Sequence, residues 1–378
     1  MDISTLVIHG CKRKYDSTGA VSVPIFQSAT FAHPDVGEST GFDYSRERNP
    51  TRTHLEDTMA QLENGVDALA FSSGMAAETA LMELLSAGVH AIASVDLYGG
   101  TRRLFDIVSK KMGVSVSYVN TSDTSSIEKA LTPLTRMVFV ETPSNPMMHV
   151  TDIKAAAELT KPRGILLAVD NTFLTPYYQR PLCLGADIVV HSGTKFLAGH
   201  NDTLSGFLVA GDEKIAERLR FIYKSTGACL SPFDAWLVIR GIKTLAVRLE
   251  RQSRSALAIA QWLLRQECVR QVNYVGLPQH PHYELSKKQS SGFGSMISFE
   301  VDSAETARQV LNTVQLIQYA ESLGGVESLI TYPMLQTHAD VPPDVRNALG
   351  VNECLLRLSV GLEDEKDLIA DIAAAMKG

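Results

Sequence analysis

Neither of the common nucleotide-binding glycine loops occurs in this chain: there is no GxGxxG, and no GxxxxGK followed by Ser or Thr. A dinucleotide fingerprint or a P-loop therefore has nothing to rest on. Basic surface is equally scarce. Lys and Arg number 35 against 42 Asp and Glu, a formal charge of −7, and no Lys/Arg-rich run occurs. That removes the electrostatic footprint of a nucleic-acid binder. No apolar run approaches membrane-spanning length, and the amino terminus, MDISTLVIHGCKRK, has no apolar core of signal-peptide length. The five cysteines (Cys11, Cys183, Cys229, Cys268, Cys354) are scattered, odd in number and never in a CxxC pair. They read as reduced thiols of a cytoplasmic protein. Internal repeats, low-complexity tracts and a flexible linker are also missing. What remains is ordinary globular composition, 45% hydrophobic and 20% charged, over 378 residues, enough for two domains with a core each.

The chain divides into an arm (1–50), a first domain (51–235) and a second (236–378). The arm carries Pro24, Pro34, Gly37, Gly41 and Pro50 with little periodicity, and ends in FDYSRERNPTR. An extended segment of this length makes sense if it reaches a neighbouring subunit. Thr51 can cap a helix over about 52–63, closed by Asn64-Gly65. From there apolar strands (67–71, 89–95, 136–141, 165–170, 186–190) alternate with helical runs, among them 101–112 and 152–161. This pattern predicts a mostly parallel sheet covered on both faces, with ligands at the carboxyl ends of its strands. Ser73, Asp96, Tyr98, Glu141, Asn145, Asp170, Asn171 and Lys195 cluster at those ends. After about residue 230, Leu245, Leu249, Ala256, Ile259 and Leu263 keep helical spacing, with Arg248, Arg251 and Arg254 read as a solvated face. FGSMISFE and LLRLSVG alternate like half-buried strands, and Leu368, Ile372 and Ala375 mark a closing helix.

The densest chemistry lies in ADIVVHSGTK, residues 186–195. Lys195 stands at the mouth of a buried strand, where lost hydration lowers an ammonium pKa and makes the amine a nucleophile, a base or a Schiff-base former. A lone lysine in a loop ordinarily snorkels to water; the rest of the set sets this one apart. Ser73-Gly74-Met75 joins a strand to a helix start, which suits either one phosphate or a plain serine N-cap. Asp170 ends an apolar strand and needs a cationic partner, unless it is an ordinary strand-end or capping aspartate. A phosphate site, a buried aspartate and a strand-end lysine together match pyridoxal phosphate, which needs a Schiff-base lysine and an acid for its pyridine nitrogen. Tyr98, in DLYGGT, offers a ring for stacking.

In these stretches the sequence resembles a known family. SSGMAA, DLYGGT, TPSNP, VDNTF, HSGTKFLAGH, ESLGGVESL and RLSVGLED are similar to the Cys/Met-metabolism enzymes that use pyridoxal phosphate. That group comprises cystathionine β- and γ-lyases, cystathionine γ-synthase, O-acylhomoserine sulfhydrylases and methionine γ-lyase, and the likeness covers nearly the whole chain. It implies an α/β fold of the aspartate-aminotransferase type (fold type I), with a large mostly parallel-sheet domain and a smaller α+β C-terminal domain. It also implies a homotetramer, a dimer of dimers with shared active sites.

Residue by residue, the resemblance makes Lys195 the cofactor-bearing lysine and proton carrier. Asp170 would pair with the pyridinium, and Tyr98 would stack on the ring. Ser73, Gly74, Met75, Thr172, Ser192 and Thr194 would complete the cofactor site. Tyr44 and Arg46 would reach the phosphate of the partner subunit. Asn145, Ser322 and Arg357 would bind the amino-acid end of a substrate. Strand alternation supports this last role independently, since Arg357 and Ser359 share a face opposite Leu356 and Leu358. A structural ion pair is the other reading of Arg357, but its planar fork suits a carboxylate.

Three features bear on substrate choice. Glu47-Arg48 after YSR is more charged than the family's usual small or neutral residues. Gly100 stands where methionine γ-lyases typically carry cysteine and counts against that member. Glu327, in GGVES, resembles the glutamate of γ-acting members, although β-lyases share the block. The expected function is a carbon–sulfur lyase of trans-sulfuration acting on cystathionine. The alternatives are γ-replacement, as in cystathionine γ-synthase or O-acylhomoserine sulfhydrylase, and a catalytically silent pyridoxal-phosphate fold used for binding.

Overall fold

The computed structural model describes residues 1–11, 18–339 and 341–377. The larger sheet has seven strands: β1 (Asp67–Phe71), β2 (His90–Ser94), β3 (Ser115–Val119), β4 (Thr135–Glu141), β5 (Leu166–Asp170), β6 (Ile188–Ser192) and β7 (Gly206–Ala210). They lie in the order β1-β7-β6-β5-β4-β2-β3. From β3 to β6 every pairing is parallel; β7 runs antiparallel to both β6 and β1. The sheet is thus mostly parallel, as expected.

Parallel strands are buried on both faces and so read as near-continuous apolar runs. Alternation assigns each residue to a layer. Ala168, Ile188 and Val190 pack with Leu81, Leu219 and Ile222, from helices Gly74–Met82 and Glu213–Thr226. Leu167 and Val169 face the other way, onto Ile153 and Ala156 of helix Ile153–Thr160. Val189, Phe207 and Val209 join Leu55, Met59 and Leu62 of helix Pro50–Glu63. Each fully buried Leu, Ile or Val contributes about 1.5–3 kcal/mol. A one-residue slip would turn the whole set over, so register is tightly fixed. Glu141, Asp170 and Ser192 therefore end their strands on one rim of the sheet.

A smaller sheet follows: β8 (Val269–Asn273), β9 (Met296–Val301), β10 (Gln318–Tyr319), β11 (Leu329–Thr331) and β12 (Leu355–Ser359). Its order is β10-β11-β12-β9-β8, antiparallel except for β10 with β11. Ile297, Phe299, Leu356 and Leu358 bury one face against helices Leu245–Leu263, Ala304–Thr313 and Glu365–Lys377.

Several expectations need correcting. The arm is not extended throughout: Ile3–His9 is a helix, capped by Asp2 accepting from the Ser4 N–H at 2.9 Å, with Leu6 and Val7 in the core beside Leu55 and Met59. Residues 12–17 of the arm lie outside the described residues. Thr51 is not the cap of the next helix. Asn49 is, accepting from Thr51 and Arg52 N–H groups. Thr51 instead ties down the arm, donating to the Pro24 carbonyl at 2.8 Å and accepting from the Phe26 N–H at 2.9 Å. The helix expected over 101–112 begins at Gly99 and takes π-helical form from Leu104 to Ser109. Arg248 is not on a solvated face. It is 2% exposed, and its guanidinium donates to the carbonyls of Phe196 (2.8 Å) and Gly241 (2.9 Å).

Candidate active site

After β6 the chain leaves the sheet in a tight loop. The Thr194 side chain accepts from the Ser205 N–H at 3.0 Å, the Gly199 N–H bonds the Lys195 carbonyl at 2.8 Å, and Arg248 braces the next carbonyl, that of Phe196. Lys195 is aimed by these contacts rather than left to wander. Its Nζ donates to the Ser322 hydroxyl at 2.7 Å. Burial, the Arg357 charge second, lowers its ammonium to about 8, with Glu321 opposing. Ser322 holds a φ of 87°, in the left-handed region that a non-glycine residue adopts only at a cost. The Lys195 hydrogen bond and Arg357, which donates to the Ser322 carbonyl at 3.0 Å, hold it there.

Close backbone approach builds an anion cradle beside this loop. Gly206 pairs with Phe71 on one side and Ser192 on the other. A Cβ on it would collide with the Ser73 carbonyl. Its absence lets Ser73 and Gly74 close onto Ser192, so that the N-terminus of helix Gly74–Met82 faces Ser192 and Thr194. Ser73 caps that helix, accepting from the Ala76 N–H at 3.1 Å. The N–H groups of the first turn and the helix dipole suit a phosphate.

Asp170 is buried, and burial pushes its carboxyl up, against the hydrogen bonds from Thr172. The Thr172 N–H reaches Asp170 at 2.9 Å, and its hydroxyl accepts from the Ser192 N–H at 2.8 Å. One threonine thus fixes both ends of the site. No lysine or arginine pairs with Asp170 among the described residues, so a cationic ring nitrogen would meet an unspent charge. Tyr98 is seated by its N–H on Glu141 at 2.8 Å, and a Cβ at Gly100 would strike its ring. Gly100 therefore supports the ring's position, whatever it says about substrate.

Arg357, on β12, is 1% exposed and forms no ion pair among the described residues. It donates to Asn145 Oδ1 at 2.9 Å and to the Thr331 hydroxyl at 3.1 Å, while its Nε has no partner among the described residues. A buried guanidinium held by neutral acceptors is poised for an external carboxylate.

All the nominated residues except Tyr44 and Arg46 line one cavity of about 310 Å³. Tyr44 is 46% exposed, and Arg46 lies over its ring and donates to the Lys224 carbonyl of the same chain. Two of the polar strand-end residues serve the scaffold instead. Asp96 accepts from the Ser144 hydroxyl and the Met147 N–H, and Asn171 donates to Glu63 at 3.0 Å and to the Gln179 carbonyl at 2.7 Å. Glu327 lies in an adjoining open groove of about 990 Å³, where it accepts from Asn201 at 2.8 Å. That groove shares Thr194, Leu204, Glu321 and Ser322 with the smaller cavity. Sequence reasoning missed Glu78, Glu321 and Thr337 in the cavity wall. Glu78 falls one helical turn after Gly74, which was the available signal. The lysine, the unpaired aspartate, the stacking ring and the glycine-backed helix start fit pyridoxal phosphate.

Comparison with known proteins agrees. The family model for Cys/Met metabolism PLP-dependent enzymes matches residues 4–377. Cystathionine gamma-lyase of Bacillus subtilis is 46% identical over 377 residues, covering 100% of both chains. Cystathionine gamma-synthase of Haemophilus influenzae is 48% identical, covering 99% of this chain and 97% of that one. A crystal structure of cystathionine gamma-lyase from Lactobacillus plantarum, complexed with L-serine, superposes with a TM-score of 0.97 at 40% identity, covering 100% of this chain and 99% of that one. The fold is thus of the aspartate-aminotransferase type, fold type I. With likeness running from end to end in both sequence and backbone, the chain belongs to the Cys/Met-metabolism family of pyridoxal-phosphate-dependent enzymes.

Proposed function

We propose that the protein is a carbon–sulfur lyase of trans-sulfuration that eliminates from cystathionine, with Arg357 as the anchor for the substrate carboxylate. The observation carrying this reading is the pairing in one cavity of a buried guanidinium lacking an anion and a lysine whose ammonium is lowered to about 8. The cofactor, when bound, supplies an electron sink for charge developing at the substrate's α carbon. The chain does the rest. Arg357 with Asn145 and Ser322 orients the amino-acid end. Lys195, whose ammonium gives up its proton far more readily than an exposed lysine's, is placed to take the α proton and return it. Asp170 keeps the ring nitrogen charged, Tyr98 packs on the ring, and Ser73, Gly74, Met75, Ser192 and Thr194 hold the phosphate. Thr172 positions both Asp170 and Ser192.

The exposed arm, with Val21 and Val36 almost fully open to solvent, supports Tyr44 and Arg46 acting on a partner subunit within a homotetramer. The relative named as a synthase favours a second reading, γ-replacement on an O-acylhomoserine. Purified, cofactor-loaded protein should release ammonia and an oxo acid from cystathionine: pyruvate with homocysteine for β-elimination, 2-oxobutyrate with cysteine for γ-elimination. Cystathionine made from O-acylhomoserine and cysteine, with no oxo acid released from cystathionine, would overturn the lyase reading in favour of the second.

A further inference from the structure

A buried pair behind the cofactor cavity has no part in the chemistry above. Glu63, the last residue of helix Pro50–Glu63, and His191, on β6, are both 0% exposed. Glu63 Oε1 accepts from His191 Nε2 at 2.7 Å and from Asn171 Nδ2 at 3.0 Å. Glu63 Oε2 and His191 Nδ1 have no partner among the described residues. This placement is costly. The carboxylate is out of water, at the negative end of its own helix, with one oxygen unmatched. An apolar side chain would meet none of these costs, so packing alone does not account for the acid.

Strand alternation shows what the carboxylate holds. Asn171 follows Asp170, the last residue of β5, and His191 precedes Ser192, the last residue of β6. Asp170, Thr172 and Ser192 line the cavity, whereas Asn171 and His191 are turned away from it and converge on the single oxygen of Glu63. On the cavity side the same two strand ends are joined by Thr172, through Asp170 and the Ser192 N–H. Asn171 is fixed further by Gln179, whose carbonyl accepts from its Nδ2 at 2.7 Å and whose Nε2 donates to its Oδ1 at 3.0 Å. We propose that Glu63 is a positioning residue: it ties the ends of β5 and β6 from behind. It thereby sets the spacing between Asp170, which meets the ring nitrogen, and Ser192, which meets the phosphate. A ligand gripped at both ends binds best where that spacing is already held, because ordering the strand ends on arrival would subtract from its affinity. The inference rests on the assignment of Asp170 and Ser192 to the cofactor, and not on the substrate proposed above.

The test is equilibrium titration of the cofactor-free protein with pyridoxal phosphate, the folding of each variant being checked by its urea midpoint. E63A removes the shared acceptor and should raise the dissociation constant about tenfold, the equivalent of roughly one hydrogen bond. E63Q keeps a carbonyl oxygen in place of Oε1 and should stay within about threefold of wild type. S192A should weaken binding about tenfold by itself. With one of the two contacts gone their spacing no longer matters, so adding E63A to S192A should raise the constant by no more than about threefold beyond S192A. A folded E63A that binds like wild type, an E63Q as weak as E63A, or a double variant whose loss is the product of the two single losses would each overturn the proposal. S192A binding like wild type would strike the assignment of Ser192 itself, and the tie with it. Where E63A fails to fold, H191F, which removes the donor on the β6 side alone, enters the same cycle with the same expectations.

Discussion

At the residue scale, Lys195 shows how much chemistry one side chain takes from its surroundings. An exposed lysine is charged at neutral pH and inert as a nucleophile; burial beside Arg357 brings its titration to about 8. Only the neutral amine attacks a carbonyl. The rate at which cofactor-free protein takes up pyridoxal phosphate should therefore rise with pH and level off above about 8. Stopped-flow absorbance against pH checks this, and a rise still climbing at pH 10 would contradict the assigned burial. Borohydride reduction of the loaded protein should label a peptide containing Lys195. This residue was legible because HSGTK follows an apolar strand. Glu63 was not, because its meaning comes from Asn171 and His191, far away in sequence. Arg248 was misread for the same reason: helical spacing shows which residues share a face, but not what covers that face.

At the element scale, the loop after β6 depends on a helix from the other half of the chain. Arg248, in Leu245–Leu263, satisfies carbonyls of Phe196 and Gly241 that are otherwise buried. Charged hydrogen bonds of this kind are worth about 1.5–3 kcal/mol each. Arg248→Met should thus lower stability by about 3 kcal/mol or more, read from the urea midpoint of the cofactor-free protein. A midpoint equal to wild type would mean that the guanidinium braces nothing. The alternation of strand and helix was readable because parallel strands leave continuous apolar runs. β7, GFLVA, went unrecognised: it returns antiparallel with no helix before it, and five apolar residues do not distinguish strand from helix. The helix Ile3–His9 escaped similarly, since only Leu6 and Val7 are buried in seven residues.

At the scale of the whole molecule, Tyr44 and Arg46 lie outside their own chain's cavity, and the shared-site proposal turns on this. Arg46→Ala should weaken cofactor binding roughly tenfold or more, since one charge-assisted hydrogen bond contributes about 1.5–3 kcal/mol. Mixing Arg46→Ala with Lys195→Ala subunits separates the possibilities. If the arm crosses to a partner, a mixed dimer has one doubly damaged site and one intact site, and activity returns to about half. If it stays home, each site carries one lesion. A mixture as inactive as its parents, after demonstrated subunit exchange, would sink the shared site. The proposed reach of the arm rests in the sequence on excess length alone, because a partner surface leaves no period there.

The close approach at Gly206 also sets what heredity can do with this gene. A Cβ there would overlap a carbonyl oxygen of the main chain, which has no rotamer to move to. Gly324 adds a positive φ to a similar clash against the Phe196 N–H. Every other amino acid carries that carbon, so neither position has a neutral neighbour in sequence space. In a saturation library selected for cofactor content, both columns should be empty apart from glycine, while exposed Val21 and Val36 drift freely unless an assembled partner covers them.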